Sequence, residues 1–193
     1  MRLLLPAGTA PHAGPVLIAR ALRAFADGYV AVLLPAYLLA LGLGTLEVGI
    51  VGTATMLGSA LATLAVGAWG HRFARVRLLR AAALLMLATG IGFAASTAWW
   101  PLLVIAFVGT MNPSSGDVSV FLPLEQATLA GMARGHSRTA LFARYSVLGA
   151  LCAAVGALAA AVPDWLGSRF GLASVDALRV MFVGYGAIGA IVW

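Results

Sequence analysis

The sequence predicts an all-α membrane protein with six transmembrane helices. Of its 193 residues, 62% are hydrophobic and only 9% are charged, whereas a soluble domain carries about 25% charged residues. A chain with so few polar groups cannot cover itself with a water-soluble surface, so lipid is its expected solvent. Its apolar residues also fall into segments near the ~20 residues that cross a bilayer.

A cytoplasmic tail at 1–15 is expected to precede a six-helix transmembrane domain at 16–193. The expected helices are 17–41, 45–69, 77–95, 99–124, 138–162 and 175–193. The first ends at the Gly-rich stretch LGLG. The second begins at Thr45 as its N-cap, with Glu47 in the first turn, where a carboxylate is favourable.

Polar stretches and interfacial residues delimit the remaining four segments. The loop HRFARVR precedes the third, and STAWW ends it with a Trp pair typical of the membrane interface. The fourth begins at that pair, and the fifth follows GMARGHSR. The stretch VPDWLGSRFGLAS is expected to form a loop, and Ser174 to cap the sixth helix.

The arginines predict how the chain is oriented in the membrane. All 12 basic residues are arginine, and the net charge is +6. With the N-terminus inside, only Arg169 and Arg179 lie on the outer side, so ten arginines obey the positive-inside rule. This bias predicts a multi-pass protein of the cytoplasmic (inner) membrane. It explains the basic charge without nucleic acid, which is not an expected partner.

The fourth segment contains a polar run, MNPSSGDVSVFLPLEQ, at 111–126. If that helix enters at Trp99, Asn112 lies about 20 Å along it and Asp117 about 27 Å, within a core of about 30 Å. Facing lipid, these groups would cost several kcal/mol. They are therefore expected to face a cavity, and Pro113 with Gly116 to interrupt the helix, as in many transporter sites.

Charged residues in the first helix form the second half of the predicted site. Arg20, Arg23 and Asp27 share one helix face, and Asp27 lies about 15 Å into the helix. Asp27 has a functional and a structural interpretation. It binds a proton or a cationic substrate group or latches a gate, or it only neutralises Arg23. Substrate-binding or proton-binding candidates are Asp27, Asn112, Ser114, Ser115, Asp117 and Arg144. Helix-helix hydrogen bonding for Asn112 and the serines, and an Asp117–Arg144 ion pair, remain the structural alternatives.

The connection GAWGHRFARVRLL at 67–79 resembles the loop between the second and third helices of the major facilitator superfamily. That loop has the pattern Gly, any, Leu, Ala, Asp, basic, any, Gly, basic, basic. The matching residues are Gly67, Arg72, Arg75, Leu78 and Leu79. Trp69 replaces the Leu, His71 the Asp and Ala74 the second Gly, while Val76 occupies the second basic position.

The resemblance implies the N-terminal six-helix half of such a transporter, with a 3+3 inverted repeat. It implies that the first and fourth helices line a cavity, and that Gly67, His71, Arg72 and Arg75 belong to a cytoplasmic gating loop. The implied partners are the lipid bilayer, a small-molecule substrate and a second six-helix half, in the same chain or another.

The expected function is therefore secondary transport of a small solute by alternating access, with protons as a plausible coupling ion through Asp27. The alternative is a truncated or half-size membrane module that acts only by assembly with another chain. No enzymatic activity is expected, because Ser115 lacks a Gly-x-Ser-Gly context and a His in a later span. No cofactor or metal is expected, since the three His and Cys152 are far apart in sequence.

Overall fold

The computed structural model of the protein describes residues 13–111, 119–133 and 136–193, without the side chain of His136. The described part is helical throughout, with short connections. Its helices are α1 (Ala13–Ala40), α2 (Thr45–Trp69), α3 (Arg75–Ala95), α4 (Trp99–Val108), α5 (Phe121–Ala130), α6 (His136–Leu158), α7 (Val162–Phe170) and α8 (Ser174–Val192).

The predicted arrangement of six transmembrane helices in a 3+3 major facilitator half is wrong. Within the described ranges, four helices are long and apolar enough to cross a membrane. They are Thr45–Arg72, Arg75–Ala95, Ser137–Phe170 and Ser174–Val192. The first segment, α1, carries three charged residues and is packed inside the other helices. The fourth stops after ten residues.

The expected helix at 99–124 is divided into two short helices. At 1.5 Å per residue, the ten residues of α4 extend about 15 Å, half of a bilayer core. The chain leaves the helix at Gly109 in an extended conformation (φ −71°, ψ −179°), and α5 begins at Phe121. The break therefore starts before Asn112, earlier than the Pro113–Gly116 pair at which an interruption was predicted.

The expected loop after residue 162 is helical instead. A 3-10 turn at Ala159–Ala161 joins α6 to α7, so the chain stays helical to Phe170. Pro163 lies in the first turn of α7, where its missing N–H is not needed. The helix ends at Gly171, whose φ of +68° suits a residue without a side chain.

The N-cap residue of α2 also differs from the prediction. Gly44, not Thr45, is the N-cap residue, and it has no side chain with which to cap. The carboxylate of Glu47 accepts a hydrogen bond from the backbone N–H of Gly44 at 2.5 Å instead. The carboxylate thus satisfies an otherwise unpaired donor at the helix start.

Helix α1 occupies the centre of the molecule and packs on both α6 and α8. Its contact with α6 is close because each helix presents a glycine to the other backbone. A methyl group on Gly28 would overlap the carbonyl of Ala153, and one on Gly156 would overlap the carbonyl of Phe25. Small residues allow such backbone approach in lipid, where packing drives association.

Two other helix pairs also approach each other closely at a glycine. Gly58 of α2 lies against the carbonyl of Phe107 in α4, and Gly90 of α3 lies against the backbone of Gly186 in α8. In α6, Gly156 occupies the interface with α1, whereas the neighbouring Ala157 is exposed.

Aromatic side chains fill the core where α1, α3 and α8 meet. The ring of Phe182 lies 4.8 Å from that of Tyr37 and 5.6 Å from that of Phe93, measured between centroids. The hydroxyl of Tyr37 donates to the carbonyl of Phe93 at 2.8 Å. Apolar packing and a satisfied polar tip together join the three helices.

We expect the substitution Gly28→Ala to lower the free energy of unfolding by about 1–3 kcal/mol, because the added methyl overpacks the α1–α6 contact. Thermal unfolding in detergent micelles measures the change. Gly52→Ala is the matched control, since no atom of a neighbouring helix lies within 4 Å of the added methyl. Equal effects of the two substitutions would contradict the close contact.

Candidate functional site

A buried ion pair joins α1 to α5. The guanidinium of Arg23 donates through Nη2 to Oε1 of Glu125, and both side chains are 3% exposed. The two residues are separated by 102 positions in sequence. A buried charge without a partner is strongly unfavourable, so each residue requires the other in this position.

Further hydrogen bonds and a cation–π contact surround this ion pair. The hydroxyl of Tyr145 in α6 donates to Oε2 of Glu125 at 2.6 Å, so both carboxylate oxygens accept hydrogen bonds. The guanidinium carbon of Arg23 lies 3.8 Å from the centroid of the Phe121 ring, and Nε donates to the carbonyl of Ala19 at 3.3 Å. The pair therefore connects α1, α5 and α6 through satisfied polar groups.

Arg20 adds a second positive charge to the cluster. Its guanidinium carbon lies 5.1 Å from the centroid of the Tyr145 ring, a cation–π arrangement. It occupies the space above Gly149, where an added methyl would come within 2.6 Å of Nε. That Nε is buried and makes no hydrogen bond within the described part of the chain. Among the described residues, aromatic contact with Tyr145 and the space above Gly149 hold Arg20 in place.

Asp27 lies one turn beyond Arg23 in α1 and is only 7% exposed. The ion pair of Arg23 is with Glu125 and not with Asp27. Among the residues that the structure describes, none forms a hydrogen bond or ion pair with Asp27. The charges of Arg23, Arg20 and Glu125 nevertheless act on its carboxylate.

A belt of buried hydroxyl groups continues from α1 and α8 to the end of α4. The hydroxyl of Tyr29 donates to the carbonyl of Met181 at 3.2 Å. Tyr185 and Thr110 share a hydrogen bond of 3.3 Å, and the N–H of Thr110 donates to Thr89 at 3.4 Å. These contacts hold the irregular backbone after α4 inside the protein, as a membrane environment requires.

Four predicted site residues, Asn112, Ser114, Ser115 and Asp117, lie outside the described residues. The described residues that flank them are buried: Thr110 is 7% exposed, Met111 0% and Ser119 8%. Arg144 is exposed on α6, and its pairing with Asp117 stays a prediction. Of the predicted binding residues, the structure thus places Asp27 in the buried cluster.

The four predicted residues of the gating loop, Gly67, His71, Arg72 and Arg75, are exposed. Gly67 lies in the last turns of α2, and His71 and Arg72 lie in a 3-10 turn at Gly70–Arg72. Arg75 begins α3, and its Nη1 donates to the carbonyl of Ala127 at 2.9 Å. Because Ala127 lies near the end of α5, Arg75 satisfies a carbonyl that the helix leaves unpaired.

Two residues of the cluster, Glu125 and Tyr145, were not among the predicted site residues. Glu125 follows the apolar stretch FLPL, and an ionisable residue beside a membrane segment is a signal for function. Tyr145 carries no comparable signal, since tyrosine is common in helices. The pairing of Glu125 with Arg23 could not be predicted, because it depends on how α5 docks against α1.

The cluster contains two guanidinium groups, Arg20 and Arg23, and two carboxylates, Asp27 and Glu125, so its formal charges balance. Within the described residues, no group of three or more His, Cys, Asp or Glu side chains could hold a metal ion. A buried set of balanced charges can bind a proton, an ion or a charged group.

The chain resembles a yeast membrane protein. It is 27% identical over 155 residues to "Uncharacterized membrane protein YJR124C" of Saccharomyces cerevisiae, and the match covers 80% of this chain. The match covers 35% of the yeast protein, so the chain spans about a third of its relative's length. No protein-family model and no solved structure matches the chain. Together with the four apolar helices, the yeast relative shows that this is a multi-pass membrane protein.

We expect Arg23→Gln to lower the free energy of unfolding by about 3–5 kcal/mol, because it leaves Glu125 buried without its counter-ion. Unfolding in detergent with increasing denaturant measures the loss. Asp176→Asn is the control, since it breaks an exposed ion pair with Arg179 whose contribution is below about 1 kcal/mol.

The double substitution Arg23→Met with Glu125→Met tests whether the two residues act as a pair. Removing both charges leaves no unpaired ion, so the double variant should lose less stability than the sum of the single variants. Strictly additive losses would show that the buried ion pair does not join α1 to α5.

Proposed function

We propose that the chain belongs to a secondary transporter that moves a small solute across the cytoplasmic membrane by alternating access. The buried charged cluster around Asp27 is the observation that carries this proposal. Charged residues inside a membrane protein cost free energy, and they concentrate on ion and substrate pathways. A purely structural core of this size could be built from apolar side chains at no such cost.

The interrupted helix supports the same proposal. Helix α4 is about half as long as a bilayer core is thick, and the buried hydroxyl belt of Thr110 and Tyr185 lies at its end. Irregular backbone within a membrane is tolerated when it is buried in protein or lines a cavity. Broken helices of this kind form substrate and ion sites in many transporters.

Asp27 is the residue that we propose to bind the coupling proton. With Asp27 ionised, the charges of Arg20, Arg23, Asp27 and Glu125 balance. Protonation of Asp27 would leave one unbalanced positive charge among buried groups, which favours a rearrangement of the ion pairs. Binding of a cationic substrate group at Asp27 would instead neutralise its charge directly.

The resemblance to the gating loop of the major facilitator superfamily also supports transport. Arg75 of that loop contacts the carbonyl of Ala127 in α5, two residues from Glu125. Helix α5 therefore connects the loop to the buried cluster. In this proposal, movement of the loop and exchange of ion pairs in the cluster are coupled through α5, with the N-terminus and this loop on the cytoplasmic side.

The second candidate function is a membrane module that acts only by assembly with further membrane helices. The observation that favours it is the length of the yeast relative, of which the chain matches 35%. Transport sites commonly lie between two repeats that rock against each other. The small-molecule site would then need residues beyond those of this chain.

We expect proton-driven solute flux into proteoliposomes to lose its dependence on the pH gradient in the variant Asp27→Asn, because an amide cannot take up the proton. A panel of solutes is first screened for thermal stabilisation of the wild-type protein, and the best stabiliser is used for flux. Asp176→Asn serves as the control, since its exposed carboxylate lies at the start of α8, outside the cluster.

Each outcome of the flux experiment has a distinct meaning. Wild-type dependence on the pH gradient in Asp27→Asn would rule out Asp27 as the proton site. Absence of flux for the wild-type chain alone, with flux restored by a longer chain or a co-expressed partner, would favour the assembly module.

A further inference from the structure

The end of the molecule formed by the α2–α3 connection carries an exposed basic patch. We define the basic patch as Arg72, Arg75, Arg77 and Arg80, all of which are exposed. Trp69 and Phe73, each 55% exposed, lie in the same stretch of chain. Four guanidinium groups beside exposed aromatic rings are typical of a surface at the boundary between lipid and water.

The exposed carboxylates lie at the opposite end of the described helices. Glu47 is in the first turn of α2, whereas the patch begins just after the last turn of that helix. Asp176 is in the first turn of α8, and Trp193 at the other end of α8 lies against Arg80, 5.1 Å from the guanidinium carbon to the ring centroid. Asp164 starts α7, which packs on α8.

Among the acidic residues that the structure describes, Glu125 lies in α5, the helix that Arg75 contacts, and it is not available. It is buried, and both of its oxygens accept hydrogen bonds from Arg23 and Tyr145. Arg72 and Arg77 form no ion pair with any residue that the structure describes. The patch thus carries positive charge that the described part of the protein does not neutralise.

The patch continues directly into an apolar exposed surface. Arg77, Arg80, Leu84 and Ile91 follow one another at intervals of three, four and seven residues, which places all four on one face of α3. Leu84 and Ile91 are each 52% exposed. This face thus presents two guanidinium groups followed by one to three turns of apolar surface along the helix axis.

We propose that the basic patch binds the headgroup of an anionic phospholipid, with the acyl chain lying along Leu84 and Ile91. The guanidinium groups offer planar pairs of donors that fit a phosphate. Each arginine near an anionic membrane surface strengthens binding by about fivefold. The proposal concerns the surface of α3 and does not depend on transport activity.

The arginines of the patch differ in how firmly they are held. Arg75 uses one nitrogen for the carbonyl of Ala127, and Arg80 stacks on Trp193. These contacts hold the surface in place. Arg72 and Arg77 donate no hydrogen bond to the residues that the structure describes, so their donors are available to a ligand. Substitutions at Arg72 and Arg77 therefore remove binding groups without removing known internal contacts.

Native mass spectrometry of the full chain in detergent tests the proposal. The protein is titrated with phosphatidylglycerol or with phosphatidylcholine of the same acyl chains, and the bound lipid is counted. We expect the wild type to bind the anionic lipid more tightly, and the double variant Arg72→Gln with Arg77→Gln to bind it more weakly by roughly tenfold or more. Arg169→Gln, an exposed arginine of α7 at the other end, should bind like the wild type.

Three results would overturn the proposal. The double variant could retain wild-type affinity, the Arg169→Gln control could lose as much, or the wild type could fail to prefer the anionic lipid. Competition with inorganic phosphate distinguishes a site for the headgroup of a phospholipid from a site for free phosphate. Displacement of the lipid by millimolar phosphate would assign the patch to a free anion, whereas persistence of the lipid supports the acyl-chain contact on α3.

Discussion

The ion pair between Arg23 and Glu125 is the constraint on which the interior of this protein depends. Two charges that are both 3% exposed cannot be separated inside a membrane without a large loss of free energy. The pair joins α1 to α5, and Tyr145 extends the connection to α6. Asp27, a turn away on α1, lies within the electrostatic influence of this pair. Any change in its charge therefore acts on the contacts that hold three helices together.

Backbone proximity makes this arrangement of charges possible. Gly28 and Gly156 bring α1 and α6 so close that neither position accepts a methyl group without movement. Arg20 lies in the space that Gly149 leaves on the same face of α6. Small residues thus have two effects here: they allow the helices to pack in lipid, and they leave room for guanidinium groups inside the bundle.

The two ends of the molecule differ in charge, and this asymmetry connects orientation with lipid contact. Exposed arginines gather around the α2–α3 connection, and exposed carboxylates lie at the starts of α2, α7 and α8. Arg75 links the basic end to α5 through the carbonyl of Ala127. A hydrogen bond therefore connects the surface that is proposed to contact anionic lipid to α5, the helix that carries Glu125.

Composition by itself determined that this is a helical membrane protein, because 62% hydrophobic residues cannot be covered by 9% charged ones. Apolar runs also predicted helices at 45–69 and 175–193, and the structure has helices at Thr45–Trp69 and Ser174–Val192. The predicted N-caps Thr45 and Ser174 were wrong, because the N-cap residues are Gly44 and Ala173. Only the tertiary structure decided that α4 stops at Val108 and that Arg23 pairs with Glu125. These features depend on contacts between distant segments, and periodicity along one segment carries no information about such contacts.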